Sequence, residues 1–217
     1  MRRTLAPVGA LLAASAWCVA LLVVRKHEFG AAEYAGLVWN LFLAWVPFVL
    51  SIGLLVAYRE RLGSLTLMAI GAVWLVFLPN APYVLTDFVH LGDRHRLFDT
   101  VIIGSFALTG LALGFGSLLL VQLVVTRAAG AAAGWLVALS ALFLSGVGMY
   151  LGRVQRLNSW DLVQRPRLVG SLFHTWLEDP TGHRFVLGFV LAVSALLTLV
   201  YLGLYGFAAF AASVRRD

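Results

Sequence analysis

Phe77-Leu78-Pro79-Asn80-Ala81-Pro82-Tyr83-Val84-Leu85-Thr86-Asp87-Phe88-Val89-His90-Leu91 is the stretch on which the reading of this chain turns. It starts as the tail of an apolar run, is interrupted twice by proline, and continues with ionisable groups at helical spacing. A backbone broken in this way cannot face lipid, because its freed N–H and C=O groups would find no water to bond. The segment is therefore expected at a membrane interface or buried against other spans. Asp87 and His90 stand three residues apart and share one face of a helix, with Tyr83 a turn earlier and Arg94 a turn later.

Composition sets the surroundings. Of 217 residues, 61% are hydrophobic and 12% charged, against about a quarter charged in soluble domains. Mean hydropathy is +0.92, and several apolar runs reach the roughly 20 residues that cross about 30 Å of hydrocarbon. The expected fold class is all-α, a polytopic membrane helix bundle of about six transmembrane helices in a single integral-membrane domain, 1–217. The spans read as 5–24, 34–58, 62–78, 101–125, 131–151 and 185–212, with interfacial amphipathic helices at 82–91 and 166–178. Arg2-Arg3 before an apolar stretch resembles a secretory leader. The run from Leu5 to Val24 is long for one and more spans follow, so a first transmembrane helix is expected instead.

The net charge of +6 does not signal nucleic acid, because the arginines sit in short loops between apolar runs, where membrane proteins carry anchoring charge. The single cysteine, Cys18, excludes an intramolecular disulfide and a cysteine-based zinc cluster.

Around the opening stretch, Pro79 is expected to end the third span and Pro82 to occupy a first helical turn. Val84, Leu85, Phe88 and Val89 then form an apolar stripe opposite Asp87 and His90. Asp99-Thr100 is positioned to cap the fourth span, whose Gly104, Gly110, Gly114 and Gly116 permit close helix approach. Further on, Asn158-Ser159 reads as a cap for a helix near Trp160. Leu168, Val169, Leu172, Phe173, Trp176 and Leu177 make a second apolar stripe, with Arg167, Ser171, His174 and Glu178 opposite. Such a helix lies flat among lipid headgroups.

With six crossings, the loops after the first, third and fifth spans share a face. Parity thus assigns Asp87, His90, Asp93 and Arg94 to the side that carries Arg153, Arg156, Asn158, Asp161 and His174. Asn40 lies about six residues, or roughly 9 Å, below that face. Lys and Arg number seven on the face with the termini and nine on the face with the long loops. The positive-inside rule turns the latter inward. Five of those nine lie between Arg153 and Arg184, and setting them aside for function turns that face outward, the orientation favoured here.

Three segments carry a resemblance: residues 77–91, the run Trp39-Asn40-Leu41-Phe42-Leu43-Ala44-Trp45-Val46-Pro47, and residues 151–162. Leu-Pro-Asn-Ala-Pro-Tyr followed by Thr-Asp and His-Leu, then Gly-Arg, Arg and Asn-Ser-Trp-Asp, resembles an uncharacterised bacterial family of multi-pass membrane proteins, a domain of unknown function. The similarity runs from about the second span to the last. It implies a multi-pass fold in the bacterial inner membrane and no assigned activity, cofactor or substrate.

Candidate chemistry must then come from the residues. Asp87, His90 and Asp161 are candidate catalytic groups. Asn40, Asn80, Tyr83, Arg153, Arg156, Asn158 and His174 are candidate binding groups. His90 oriented by Asp87 suits a general base, and Arg153 with Arg156 suits a phosphate clamp. At an interface the natural anion is a lipid headgroup or a lipid-linked phosphate. Asp87 and His90 also offer ligands for a divalent metal, though no diagnostic spacing accompanies them. Against these stand structural roles: Asp87 paired with an arginine, Asn40 bonded between helices, Pro47 marking a kink, and Tyr83, Trp160 and Trp176 anchoring at the interface.

Three classes stay open: an enzyme or binder of anionic lipid, a small-solute or ion transporter, and a non-catalytic subunit of a membrane complex. Polar groups are sparse at mid-depth, where a transporter is expected to place its site, although a carrier formed by homo-oligomerisation is still permitted. The expected location is the cell membrane.

Overall fold

Apolar runs this long must satisfy their own backbone groups, and every regular element among the described residues is accordingly helical. The computed structural model describes residues 2–30, 34–91, 95–179 and 182–214, without the side chains of residues 2–5, 90, 162, 163 and 177. The chain divides into two compact units, Met1–Gly134 and Trp135–Asp217.

The first unit holds α1 (Arg2–Phe29), α2 (Gly36–Arg59), α3 (Ser64–Phe77), α4 (Asn80–Tyr83), a 3₁₀ helix (Val84–His90) and α5 (Arg96–Ala129). Helix α6 (Ala131–Arg153) begins at its edge. The second unit takes the rest of α6, then α7 (Asp161–Gln164), α8 (Pro166–Glu178) and α9 (Arg184–Val214). Six segments are long and apolar enough to cross a membrane: Ala6–Phe29, Gly36–Arg59, Ser64–Val89, Arg96–Ala129, Ala131–Arg153 and Arg184–Val214. This is a multi-pass membrane protein, and the number of runs agrees with the six read from the sequence.

Helix α5 is the axis of the first unit. Ile102, Ile103, Phe106 and Leu113 on it are fully buried, packed with Leu37, Leu41, Ala44, Phe48, Ala81 and Val84. Its glycines set the spacing. A Cβ on Gly110 would sit 2.5 Å from the Ala81 carbonyl oxygen, and one on Gly114 would sit 2.8 Å from the Ala81 Cβ. The proline-rich segment therefore lies directly against α5, as close backbone approach at small residues allows.

Side-chain hydrogen bonds pin the other contacts. Trp74 Nε1 donates to Ser117 Oγ at 2.9 Å, Trp45 Nε1 donates to Ser15 Oγ at 3.0 Å, and Cys18 meets Thr109 Oγ1 at 3.4 Å. Each such bond within a membrane contributes about 0.6 kcal/mol on average.

Helix α2 ends in a tight turn. The Leu62 N–H reaches the Ala57 carbonyl at 2.9 Å, with Arg61 in the left-handed region at φ 56, the six-to-one closure of a Schellman motif.

In the second unit Tyr150, Val186 and Val190 form a small core with Val147, Trp176 and Phe189. A Cβ on Gly146 would lie 2.9 Å from the Val190 carbonyl oxygen, so α6 and α9 also meet at a glycine. Trp176 of α8 packs edge-on against Tyr150 with ring centroids 5.4 Å apart, which fastens α8 to the end of α6.

Candidate functional site

The candidate residues fall into two groups, one in each unit, and each group is built from its own segment. Asn40, Asn80, Tyr83, Asp87 and His90 belong to the first.

Proline at 79 and 82 removes two backbone donors, yet the chain does not leave the helical region. Leu78, Pro79, Tyr83 and Val84 all keep right-handed helical dihedrals. The hydrogen bonds are reassigned instead. The Ala81 N–H shortens its reach to the Leu78 carbonyl at 3.1 Å, and Asn80 Nδ2 donates to the Phe77 carbonyl at 2.9 Å. Asn80 thus supplies by side chain a bond that the interrupted ladder lacks. Thr86 Oγ1 also donates to the Tyr83 carbonyl, at 2.6 Å. The expected break with a separate amphipathic helix at 82–91 is replaced by two short helical pieces that prolong α3, giving one 26-residue apolar segment, Ser64–Val89.

Winding then decides which side chain faces inward. A 3₁₀ helix has about three residues per turn, so positions three apart eclipse. Val84 is fully buried and Asp87 is 7% exposed, whereas Val89 is 78% exposed. Of the expected stripe, Val84 is in the core and Leu85 and Phe88 pack against it, but Val89 turns outward and Asp87 turns inward. The error was a period of 3.6 where the chain winds at three. His90 occupies the next backbone position on the edge of Val84 and Asp87.

The inward-facing carboxylate meets Asn40. Asn40 Nδ2 of α2 donates to Asp87 Oδ2 at 3.0 Å. A polar residue four positions into a membrane span and the carboxylate of the proline-rich segment, 47 residues apart, therefore act on each other directly. Tyr83 is half-buried on the same segment. Asp93 and Arg94 lie outside the described residues, as does the side chain of His90.

A second buried constellation of this unit escaped the sequence reading. Arg25, near the end of α1, grips Asp99 in the first turn of α5 with a two-pronged contact, Nε to Oδ1 at 2.6 Å and Nη2 to Oδ2 at 3.1 Å. The Tyr34 hydroxyl also donates to Asp99 Oδ2 at 3.1 Å, and the Arg25 guanidinium lies over the Tyr34 ring, 4.6 Å from its centroid. The two side chains of the ion pair are 4% and 3% exposed. Asp99 is therefore not the helix cap expected of it. Its carboxylate turns to a buried cation, which a cap facing solvent would not meet. The signal for this pair was slight: opposite charges at two helix ends that parity assigns to one face.

Phe29 stacks on His95 at 3.9 Å and meets Phe98 edge-on at 5.8 Å, extending the joint between α1 and α5.

Arg153, Arg156, Asn158, Asp161 and His174 make up the group in the second unit. Arg153 is half-buried in the last turn of α6. Arg156 is exposed and holds φ 55, a left-handed conformation rare for a residue with a Cβ. Asp161 is buried, and its Oδ2 accepts the Asn158 N–H at 2.7 Å. Its other oxygen lies 3.6 Å from Arg165 Nε. The expected cap is thus reversed: the carboxylate in the helix reaches back three residues, as the acidic half of a capping box does. Asp161 shapes the loop that carries Arg156 and Asn158. His174 lies on the exposed face of α8, its Nδ1 3.2 Å from Glu178 Oε2, as a solvated helical stripe predicts. Among the described residues no three His, Cys, Asp or Glu side chains assemble as a metal site.

The family model described as "Protein of unknown function (DUF1361)" matches residues 39–200, about three-quarters of the chain. The chain belongs to the DUF1361 family. No curated protein and no solved structure matches it. All ten candidate residues lie within the DUF1361 match, whereas Arg25 and Tyr34 precede it.

Proposed function

We propose that this DUF1361 protein binds or processes an anionic lipid or a lipid-linked phosphate at one membrane face, with Asp87 as its central carboxylate. The observation that carries the reading is the hydrogen bond from Asn40 to the buried Asp87. The two other buried carboxylates among the described residues have evident structural work: Asp99 joins α1 to α5, and Asp161 closes its own loop. Asp87 instead sits on the proline-rich segment, where local side-chain bonds from Asn80 and Thr86 hold the backbone. A fixed carboxylate three positions from an imidazole suits general acid–base work.

Arg153 and Arg156 are the cations the proposal calls on for phosphate, because guanidinium forks match phosphate oxygens. Asp161 is assigned the support of that loop, and His174 no part.

The test is complementation of a strain lacking the protein, with lipid extracts compared. Asp87→Asn and Arg153→Ala are each expected to yield folded, inserted protein without function, with an anionic lipid intermediate accumulating. Full activity of either variant, or altered solute uptake with unchanged lipids, overturns the proposal.

A further inference from the structure

Helix α8 presents three surfaces. One line is covered: Val169 is 7% exposed and Trp176 packs on Tyr150. On the helical wheel Leu168 and Phe173 flank that line on opposite sides, and both stay open, at 43% and 37%. The third surface is the polar one, where His174 pairs with Glu178. An apolar residue exposed on each shoulder of a fastened helix, below a polar crown, is the profile of an element lying at the boundary of a bilayer.

Charge says which bilayer. Residues 153–167 carry four arginines, no lysine and one carboxylate. Arg165 and Arg167 stand at the start of α8 and are both exposed. Helix starts ordinarily favour acidic side chains, and α8 has none in its first turn. Its carboxylates, Glu178 and Asp179, come at the other end. We propose that α8 is a docking surface for anionic phospholipid, with Leu168 and Phe173 entering the acyl boundary and Arg165 and Arg167 holding headgroup phosphates. Each basic residue near an anionic leaflet adds about 1 kcal/mol of attraction. The inference goes beyond the Asp87 reading and does not need it, since it concerns only surfaces of the second unit.

The experiment uses the full chain purified in a neutral detergent, with thermal unfolding followed as phosphatidylglycerol or phosphatidylcholine of identical acyl chains is added. Phosphatidylglycerol should raise the melting temperature more than phosphatidylcholine, and 0.5 M salt should shrink the excess. Arg165→Gln/Arg167→Gln should lose at least half of that excess while keeping the phosphatidylcholine response. Because Arg165 also neighbours Asp161, Arg167→Gln alone is the second variant and should lose a smaller share. Equal shifts by the two lipids, or an unchanged excess in the arginine variants, overturn the inference.

Discussion

At the scale of single residues, the contact between Arg25 and Asp99 is the most consequential one that the sequence did not disclose. A buried ion pair is a weak source of net stability, since desolvation offsets much of its attraction, but removing one partner leaves a charge stranded. Asp99→Ala or Arg25→Ala is therefore expected to lower stability by about 3–5 kcal/mol. The paired replacement Arg25→Met/Asp99→Leu should recover most of that loss. Thermal unfolding of the detergent-purified protein checks both, and a double variant as unstable as the singles would show that the contact does more than neutralise charge. Asn40 and Asp87 present a gentler case. Asn40→Leu withdraws a donor from a buried carboxylate and should destabilise by about 1–3 kcal/mol, with loss of complementation if Asp87 acts as proposed.

At the scale of elements, close approach and turn geometry make the sharper tests. A methyl group on Gly110 would meet a backbone carbonyl at 2.5 Å, which cannot swing aside, whereas one on Gly104 would find only the Phe88 ring at 3.9 Å. Gly110→Ala should accordingly destabilise by about 1–3 kcal/mol, the range for overpacking, and Gly104→Ala should be tolerated. Equal effects would mean that α5 does not lie against Ala81 as described. The end of α2 predicts a gain. Arg61 holds φ 56 where glycine carries no Cβ penalty. Arg61→Gly should stabilise by up to about 1 kcal/mol, the rough size of that penalty net of glycine's greater freedom when unfolded, read as a higher melting temperature.

At the scale of the whole molecule, six apolar segments imply alternation of the loops across the membrane. Single cysteines placed at His27 and at Arg61 in a Cys18→Ala background should react with a membrane-impermeant thiol reagent from opposite sides. Reaction from the same side would remove the second crossing, the one segment between them. The nearness of Asn40 to the Asp87 segment was legible, because parity and a rise of about 1.5 Å per residue set its depth. The inward direction of Asp87 was not, because it depends on 3₁₀ winding, which leaves no hydrophobic period distinct enough to read over seven residues. Nor was the work of Asn80, whose amide takes the Phe77 carbonyl once the Ala81 N–H has turned to that of Leu78.

The sequence by itself determined the solvent of this protein, its helical class and the number of its spans, since each follows from run length and the insolubility of unpaired backbone in lipid. Tertiary structure alone decided which polar groups are sealed in pairs and which face of the proline-rich segment is inside. Those outcomes rest on contacts between residues tens of positions apart, 74 in the case of Arg25 and Asp99, and a local pattern carries no record of its distant partner.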